Sequence, residues 1–561
     1  MNNQRTKKSD AGFLMQGSIL AIASIISRIV GLIYRVPLTA TIGKTGNDYY
    51  GTAYEVYSII LLISSYSLPL AVSKLVSARM AKGHVKDAYR VLRGALIFAC
   101  ISGGIASLIL FFGANYITGA LLKTPLAAIA LKVLAPTVFV VAILGVFRGF
   151  FQGLGTMIPS AISQICEQII NAVVSVIAAI ALFKYGKTIG AVLNSEEKYA
   201  AAYGAAGGTL GTASGALFAL LFVLFVFFIY KKSFKKMMKR DKTINNESYK
   251  SIFSILILTI VPVLLSTTIY NISSIIDQGI FKNIANIQGY DSVQISEWWG
   301  VFTGQYKTLV NVPISIASAL AASTVPSLTA VFQSKDKSAV KRQINMADRF
   351  VMTIAFPCTF GMICLASPLM IVLFNDYEKS SAMMLVVGSI SIVFYSLSTL
   401  SNGILQGIDK MSIPVRNAVI ALILHILILF MLMGIFDLNI FAVIIANAFY
   451  ALLMCFLNGY SVMKYSKATY DVQKTFIIPA IASVIMAIIV YVFYKFIHSV
   501  FAIFLSDRIA ALIGIAFGII LGIIVYFILM LLLKGLDEET LLKFPGGRTL
   551  ASIAYKFNLL R

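Results

Sequence analysis

Long apolar runs, following one another along almost the whole chain, constrain this sequence more than any motif it carries. A helix that crosses a bilayer needs roughly 20 apolar residues. About fourteen stretches meet that length: 13–42, 54–78, 91–116, 127–152, 160–183, 204–230, 252–282, 297–331, 346–375, 382–407, 415–435, 439–464, 475–500 and 506–534. The seventh and eighth exceed what a bilayer needs, so they are expected to tilt, kink or project. With 59% hydrophobic residues over 561 positions, the predicted fold class is an all-α polytopic membrane protein. The opening segment MNNQRTKKSD is polar and basic, but the run behind it is too long for a signal-peptide core, and it is expected to stay uncleaved.

The formal charge of +23 would suit a nucleic-acid binder, but its distribution argues against one. Lys and Arg gather in short segments between apolar runs: Arg5, Lys7 and Lys8; Arg79 to Arg93; Lys231 to Lys242; Lys335 to Arg342; and Lys464 to Lys474. The alternate segments carry Asp48, Glu196, Glu197, Asp291, Glu297, Asp376, Glu378, Asp437 and Asp507. Under the positive-inside rule the basic segments lie in the cytoplasm, and an even helix count puts both termini there. The five cysteines (Cys100, Cys166, Cys358, Cys364, Cys455) sit in apolar runs without metal or redox spacing, and three histidines form no ligand cluster. No metal site is expected, and His425 reads as a core histidine.

An internal repeat divides the chain. Gly149-Phe-Phe-Gln-Gly153 leading to Pro159 ends the fourth run and opens the fifth; Gly403-Ile-Leu-Gln-Gly407 leading to Pro414 does the same for the tenth and eleventh. Ser67-Leu-Pro69-Leu-Ala-Val-Ser is echoed by Asn311-Val-Pro313-Ile-Ser-Ile-Ala. Both pairs run the same way through the membrane, as in transporters built from two parallel six-helix bundles. The expected organisation is an N-terminal lobe over 1–230, a basic linker over 231–251, a C-terminal lobe over 252–464, and a helix pair with a tail over 465–561. The GxxxG-like glycines read first as close helix packing.

No phosphate-binding loop, GxSxG or HExxH motif is present, so an enzyme is not expected. The chemistry lies instead in charges within apolar runs. In Ser27-Arg28-Ile-Val-Gly31-Leu-Ile-Tyr-Arg35, the residues Ser24, Arg28, Gly31 and Arg35 fall on one helical stripe. Intramembrane arginines are expensive and commonly mark a substrate path; the competing reading has Arg35 snorkelling to headgroups and Arg28 paired with a carboxylate. Lys74, Glu167, Asp277 and Lys307 complete the set. Lys74 either snorkels or joins the site, Glu167 is a partner for Arg28 or a protonatable coupling group, and Asp277 with Lys307 forms a structural or a functional pair. Together, Arg28, Arg35, Lys74 and Lys307 suit a diphosphate held by charge-assisted hydrogen bonds. Pro69 and Pro313, with Gly31, are the candidate hinge positions.

The segments ISRIVGLIYRVPLTATIG, SLPLAVSKLVS, GFFQGLGTMIPSAIS and NVPISIASALAASTVPSLT resemble the polysaccharide-transporter branch of the MOP exporter superfamily, in particular MurJ-type lipid II flippases and stage V sporulation protein B of Gram-positive bacteria. The resemblance covers nearly the whole chain. It implies fourteen helices in a V-shaped pair of lobes in a bacterial plasma membrane. It also implies a cationic cavity for the lipid II pyrophosphate and a groove along the last two helices for the polyprenyl tail. By matching motifs, Arg28 and Arg35 stand at the family's first-helix arginines, Lys74 at its second-helix basic residue, Asp277 at its seventh-helix acid and Lys307 at its eighth-helix arginine. Lysine at the last two basic positions keeps charge but loses bidentate geometry.

The expectation is a flippase carrying lipid II, a cell-wall precursor for peptidoglycan, from the inner to the outer leaflet by alternating access. It needs no cofactor, and membrane potential, Na+ or H+ would supply any coupling. Its partners would be the lipid-linked glycan, membrane lipids and the cell-wall synthesis or division machinery. The rival readings are an exporter of another lipid-linked oligosaccharide (exopolysaccharide or teichoic type), a multidrug/cation antiporter, and a non-transporting scaffold for septal or spore-coat assembly.

Overall fold

The computed structural model describes residues 2–241, 243, 247–333, 336–408, 410–467 and 471–536, with 552, 555 and 556. Lys242, Lys335 and nearly all of the tail beyond 536 therefore lie outside the described residues. By packing, the chain forms two units, Met1–Gly304 and Gln305–Arg561. The described residues contain helices and no strand.

The first unit holds α1 (Asn2–Leu61), α2 (Leu68–Ala81), α3 (Val85–Tyr116), α4 (Ala127–Gly153), α5 (Ile158–Val192), α6 (Glu196–Arg240), α7 (Tyr249–Asn271), α8 (Ser273–Ile287) and α9 (Ser292–Gly300). The second holds α10 (Lys307–Gln333), α11 (Lys337–Cys364), α12 (Ala366–Phe374), α13 (Lys379–Gly388), α14 (Ser391–Gly407), α15 (Ser412–Gly434), α16 (Asn439–Ser466), α17 (Ile478–Phe501) and α18 (Asp507–Leu532). Eleven described spans are long and apolar enough to cross a membrane, and α7 to α10 add further helices over the seventh and eighth runs, in keeping with about fourteen crossings. Those two long runs are both interrupted, the seventh between α7 and α8 and the eighth by a π-helical turn at Val301–Tyr306.

Two expectations about helix ends are corrected. Helix α1 begins at Asn2, so Arg5, Lys7 and Lys8 lie within it rather than ahead of it. Helix α6 runs to Arg240, so most of the basic stretch expected as a linker from residue 231 is helical; its lysines are mostly exposed and do not interrupt the backbone ladder. By packing, α7 to α9 belong with the first unit, which ends at Gly304. The reason is that α7 packs on α2 and α3, and α8 and α9 pack on α1.

Helix α1 bends at Gly43, whose backbone (φ 69°, ψ −175°) suits glycine alone. The bend interrupts the carbonyl ladder, and the buried Asn47 repairs it. Its amide donates to the Gly43 carbonyl at 2.7 Å and to the Thr39 carbonyl at 3.2 Å. The first break after this one is the π turn Leu62–Tyr66, immediately before Pro69 enters α2. Its repeat counterpart Pro313 sits inside α10 with unbroken helix around it, so the two prolines of the sequence echo act differently.

The GFFQG motif is a packing device. A side-chain carbon at Gly149 would lie 2.5 Å from the Pro69 carbonyl oxygen, and one at Gly153 would lie 2.8 Å from that of Ser73. Helices α2 and α4 thus meet backbone to backbone. Gly207, Gly211 and Gly215 do the same for α6, which lies against Ala178, Ser175 and Glu167 of α5. In the second unit, His425 is buried, donates its Nδ1–H to the Ala446 carbonyl at 2.9 Å, and meets Tyr450 edge-on. It is the core histidine expected.

Candidate functional site

Of the residues singled out by sequence, Ser27, Arg28, Gly31, Arg35, Pro69, Lys74, Glu167 and Asp277 belong to the first unit, and Lys307 and Pro313 to the second. The stripe on α1 faces α5, which carries its own polar stripe of Gln164, Glu167, Gln168, Asn171 and Ser175. Ser24 Oγ donates to Gln164 Oε1 at 3.5 Å. Gly31 approaches Gln168 closely enough that a side-chain carbon there would lie 3.6 Å from its Oε1. Asn171 Nδ2 donates to the Tyr34 hydroxyl at 3.4 Å. The stripe is shared between two neighbours: Gln164, Gln168 and Asn171 reach α1, while the glycines of α6 press on the backbone at Glu167, Asn171 and Ser175, and Ser175 Oγ donates to the Gly208 carbonyl of α6 at 2.8 Å.

Exposure sorts the faces of α1. Ile29 is 55% and Ile33 63% exposed, with Ile26 beside them. At about 100° per residue, Arg28 and Arg35 lie roughly opposite these isoleucines. Arg28 is nonetheless exposed and Arg35 half-buried. An exposed guanidinium on the face away from the apolar one belongs to wet space rather than to hydrocarbon. The Arg35 guanidinium lies 4.5 Å over the Tyr50 ring, which stacks in turn on Tyr54 at 5.8 Å; the aromatic face fixes its plane. Ser27 Oγ is buried without a hydrogen-bond partner among the described residues. Lys74 is exposed on α2 one turn after Leu70, itself 58% exposed, so snorkelling and site membership both fit its position.

Glu167 has a partner the sequence reading did not consider. Arg148 of α4 donates to it at 2.8 Å through Nη2 and to Ser163 through Nε at 2.8 Å. An arginine inside the fourth apolar run was the signal for it. Asp48, expected in an outer acidic loop, is instead buried. Lys282 of α8 donates to its Oδ1 at 2.5 Å, Thr52 to the same oxygen at 3.1 Å and Ser296 of α9 to Oδ2 at 2.6 Å. The Lys282 ammonium also reaches Thr124 Oγ1 at 2.5 Å. Asp277 is 1% exposed on α8, and Lys307 is half-buried at the start of α10.

The second unit contains an apolar cavity of about 520 Å³ lined by α11, α12, α17 and α18, including Pro357, Met362, Leu369, Met486, Ile519 and Phe527. Gly518 and Gly522 open it on α18. Its lining suits a hydrocarbon chain and offers almost nothing to a charged headgroup.

Residues 13–332 match the model of the family described as polysaccharide biosynthesis protein. Lipid II flippase MurJ of Bacillus subtilis (strain 168) is 25% identical over 425 residues, 74% of this chain and 76% of MurJ. Stage V sporulation protein B of the same organism is 24% identical over 533 residues, 95% of this chain and 98% of that protein. Among solved structures, lipid II flippase MurJ in an inward closed conformation superposes with a TM-score of 0.63 at 16% identity, covering 91% of this chain and 98% of that one. An inward-facing multidrug resistance MATE family transporter of the MOP superfamily gives 0.62 at 16% identity, covering 79% and 96%. These relatives and neighbours that carry an activity in their names are flippases and transporters rather than enzymes. The chain is a multi-pass membrane protein that shares the fold of these two solved structures, and the family match over more than half its length shows that it belongs to the polysaccharide biosynthesis protein family.

Proposed function

We propose that this protein is a flippase for a polyprenyl-diphosphate-linked cell-wall precursor, with lipid II as the cargo, working by alternating access in a bacterial plasma membrane with both termini in the cytoplasm. The observation that carries the reading is the exposed Arg28 on the polar face of α1, opposite exposed isoleucines and beside the amide stripe of α5. A diphosphate crossing hydrocarbon alone faces a prohibitive desolvation cost. Arg28 and Arg35 offer it charge-assisted hydrogen bonds, Gly31 gives it room, and Lys74 adds positive charge. The apolar cavity of α11, α12, α17 and α18 is suited to the prenyl tail, which stays in lipid-like surroundings while the headgroup moves. Membrane potential, at about 2.3 kcal/mol per charge per 100 mV, is the simplest source of direction, and Na+ or H+ coupling through Asp277 or Glu167 is the alternative.

Similarity to MurJ and to stage V sporulation protein B supports the cargo class, and the breadth of the matching family supports a second reading, export of another lipid-linked oligosaccharide. Complementation separates the two. Expression in cells depleted of their lipid II flippase is expected to restore growth. Normal protein levels without restoration would remove lipid II and leave the other lipid-linked glycans.

A further inference from the structure

The first unit carries a second cationic feature, remote in sequence from the α1 stripe. The beginning of α3 and the end of α6 form an open cleft of about 550 Å³, lined by Lys86, Tyr89, Arg90 and Arg93 from α3 and by Lys235 and Lys239 from α6. Five of these groups are cationic, and no carboxylate lines the cleft. A buried core seats the two helices together: Phe234 of α6 packs at 6.1 Å from the Tyr89 ring and at 5.4 Å from Phe150.

The nearby acids are committed elsewhere. Glu247 takes two hydrogen bonds from Arg79 Nη2 and one from its Nε, at 2.8 to 3.0 Å. Asp87 accepts the Glu247 main-chain N–H at 2.9 Å. Asp241 accepts the main-chain N–H of Lys86 at 2.8 Å and that of Thr243 at 2.8 Å. These contacts fasten the segment after α6 onto α2 and α3. Among the described residues, none of the five cations forms an ion pair with a carboxylate; Lys86 lies nearest to one, Asp241, and its ammonium donates to the Thr243 carbonyl at 3.4 Å. Two of them are held in place by aromatic faces, Arg90 over Tyr249 and Arg93 over Tyr89, both at 4.7 Å. Arg90 Nε is buried with no hydrogen-bond acceptor. Pre-oriented guanidinium planes, flexible ammonium groups opposite and a missing acceptor together describe a receptor for a multiply charged oxyanion.

We infer that the α3–α6 cleft binds a phosphoryl anion, supplied either as the headgroup of an anionic phospholipid or as a soluble di- or polyphosphate. The inference does not depend on the cargo proposed above. An anion seated there bridges α3 to the end of α6 and neutralises five like charges that otherwise repel one another.

The test uses the full chain, wild type and two double variants on different helices: Arg90→Gln with Arg93→Gln, and Lys235→Gln with Lys239→Gln. The two lysines are exposed, so the second pair leaves the fold intact. Native mass spectrometry counts retained phosphatidylglycerol against phosphatidylcholine, and calorimetry follows inorganic pyrophosphate. The expected result is preferential binding of at least one of the two anionic probes, weakened by about tenfold in both variants and weakened again when salt rises from roughly 0.05 to 0.5 M. Loss confined to phosphatidylglycerol identifies the lipid source, and loss of pyrophosphate binding identifies the soluble one. Binding of neither probe above phosphatidylcholine background, or unchanged binding in the folded Lys235/Lys239 variant, overturns the inference.

Discussion

Replacing Lys282 by methionine removes one half of an ion pair that is almost completely enclosed. The side chains of Lys282 and Asp48 are 2% and 1% exposed, and Asp48 would keep only its hydrogen bonds from Thr52 and Ser296. Leaving a buried carboxylate without its cation typically costs about 3–5 kcal/mol, whereas an ion pair replaced as a whole costs far less. Lys282→Met is therefore expected to lose about 3–5 kcal/mol of unfolding free energy, and Asp48→Asn with Lys282→Met is expected to recover most of it. Reversible unfolding in mixed micelles followed by tryptophan fluorescence suits the question. Both tryptophans of the chain, Trp298 and Trp299, lie in α9, and Trp299 stacks on Phe281, the neighbour of Lys282, at 5.6 Å. A single variant that loses less than about 1 kcal/mol, with no recovery in the double variant, would refute the reasoning that charge compensation rather than packing holds α1, α8 and α9 together.

Gly43→Ala meets nothing within 4 Å, so its expected cost of about 1–3 kcal/mol is backbone strain alone; an unchanged melting temperature would contradict the conformational account of the kink. Gly149→Val drives a side chain into the Pro69 carbonyl and should separate α2 from α4, seen as faster amide exchange in both helices. Asp348 of α11 is 0% exposed, and among the described residues neither carboxylate oxygen is hydrogen-bonded. Asp348→Asn, which removes any charge there, is thus expected to hold or raise the melting temperature, and a clear drop would show an unseen partner. Burial acts to raise the Asp241 carboxyl, but hydrogen bonds from Lys86 and Thr243 prevail and hold it at about 2. Its contribution to fastening the segment after α6 is complete above about pH 4 and disappears as the pH falls through about 2. Amide exchange over 79–93 during acid titration should show that low midpoint, and a midpoint near 4 would not fit.

Hydropathy made the helices legible because a membrane helix must be apolar over its whole length, and the long seventh and eighth runs announced their own breaks. Helix ends were less visible: the lysines after residue 231 read as a loop, yet lysine is a good helix former and α6 simply projects onwards. The α1 stripe was readable from Arg28 and Arg35 alone, whereas its companion was not. Gln164, Gln168 and Asn171 carry no charge to draw attention, and only the packing of α5 on α1 brings them to Ser24, Gly31 and Tyr34. Asp48 was misplaced for a physical reason, since its position after an apolar run marks a loop unless a glycine bend turns the chain back. The Gly43 bend does so, and Lys282 arrives from far along the chain, a distance that periodicity does not see.

An exposed arginine in a membrane helix, serving a diphosphate headgroup, is what the flippase reading stands on. Lipid II exposure on the outer leaflet of cells that rely on this protein tests it directly, comparing wild type with Arg28→Ala and Arg28→Lys at equal protein levels. Wild-type cells are expected to expose lipid II and Arg28→Ala cells to lose that exposure, with Arg28→Lys reporting whether guanidinium geometry or charge alone is needed. Full exposure in Arg28→Ala would show that Arg28 does not serve the headgroup.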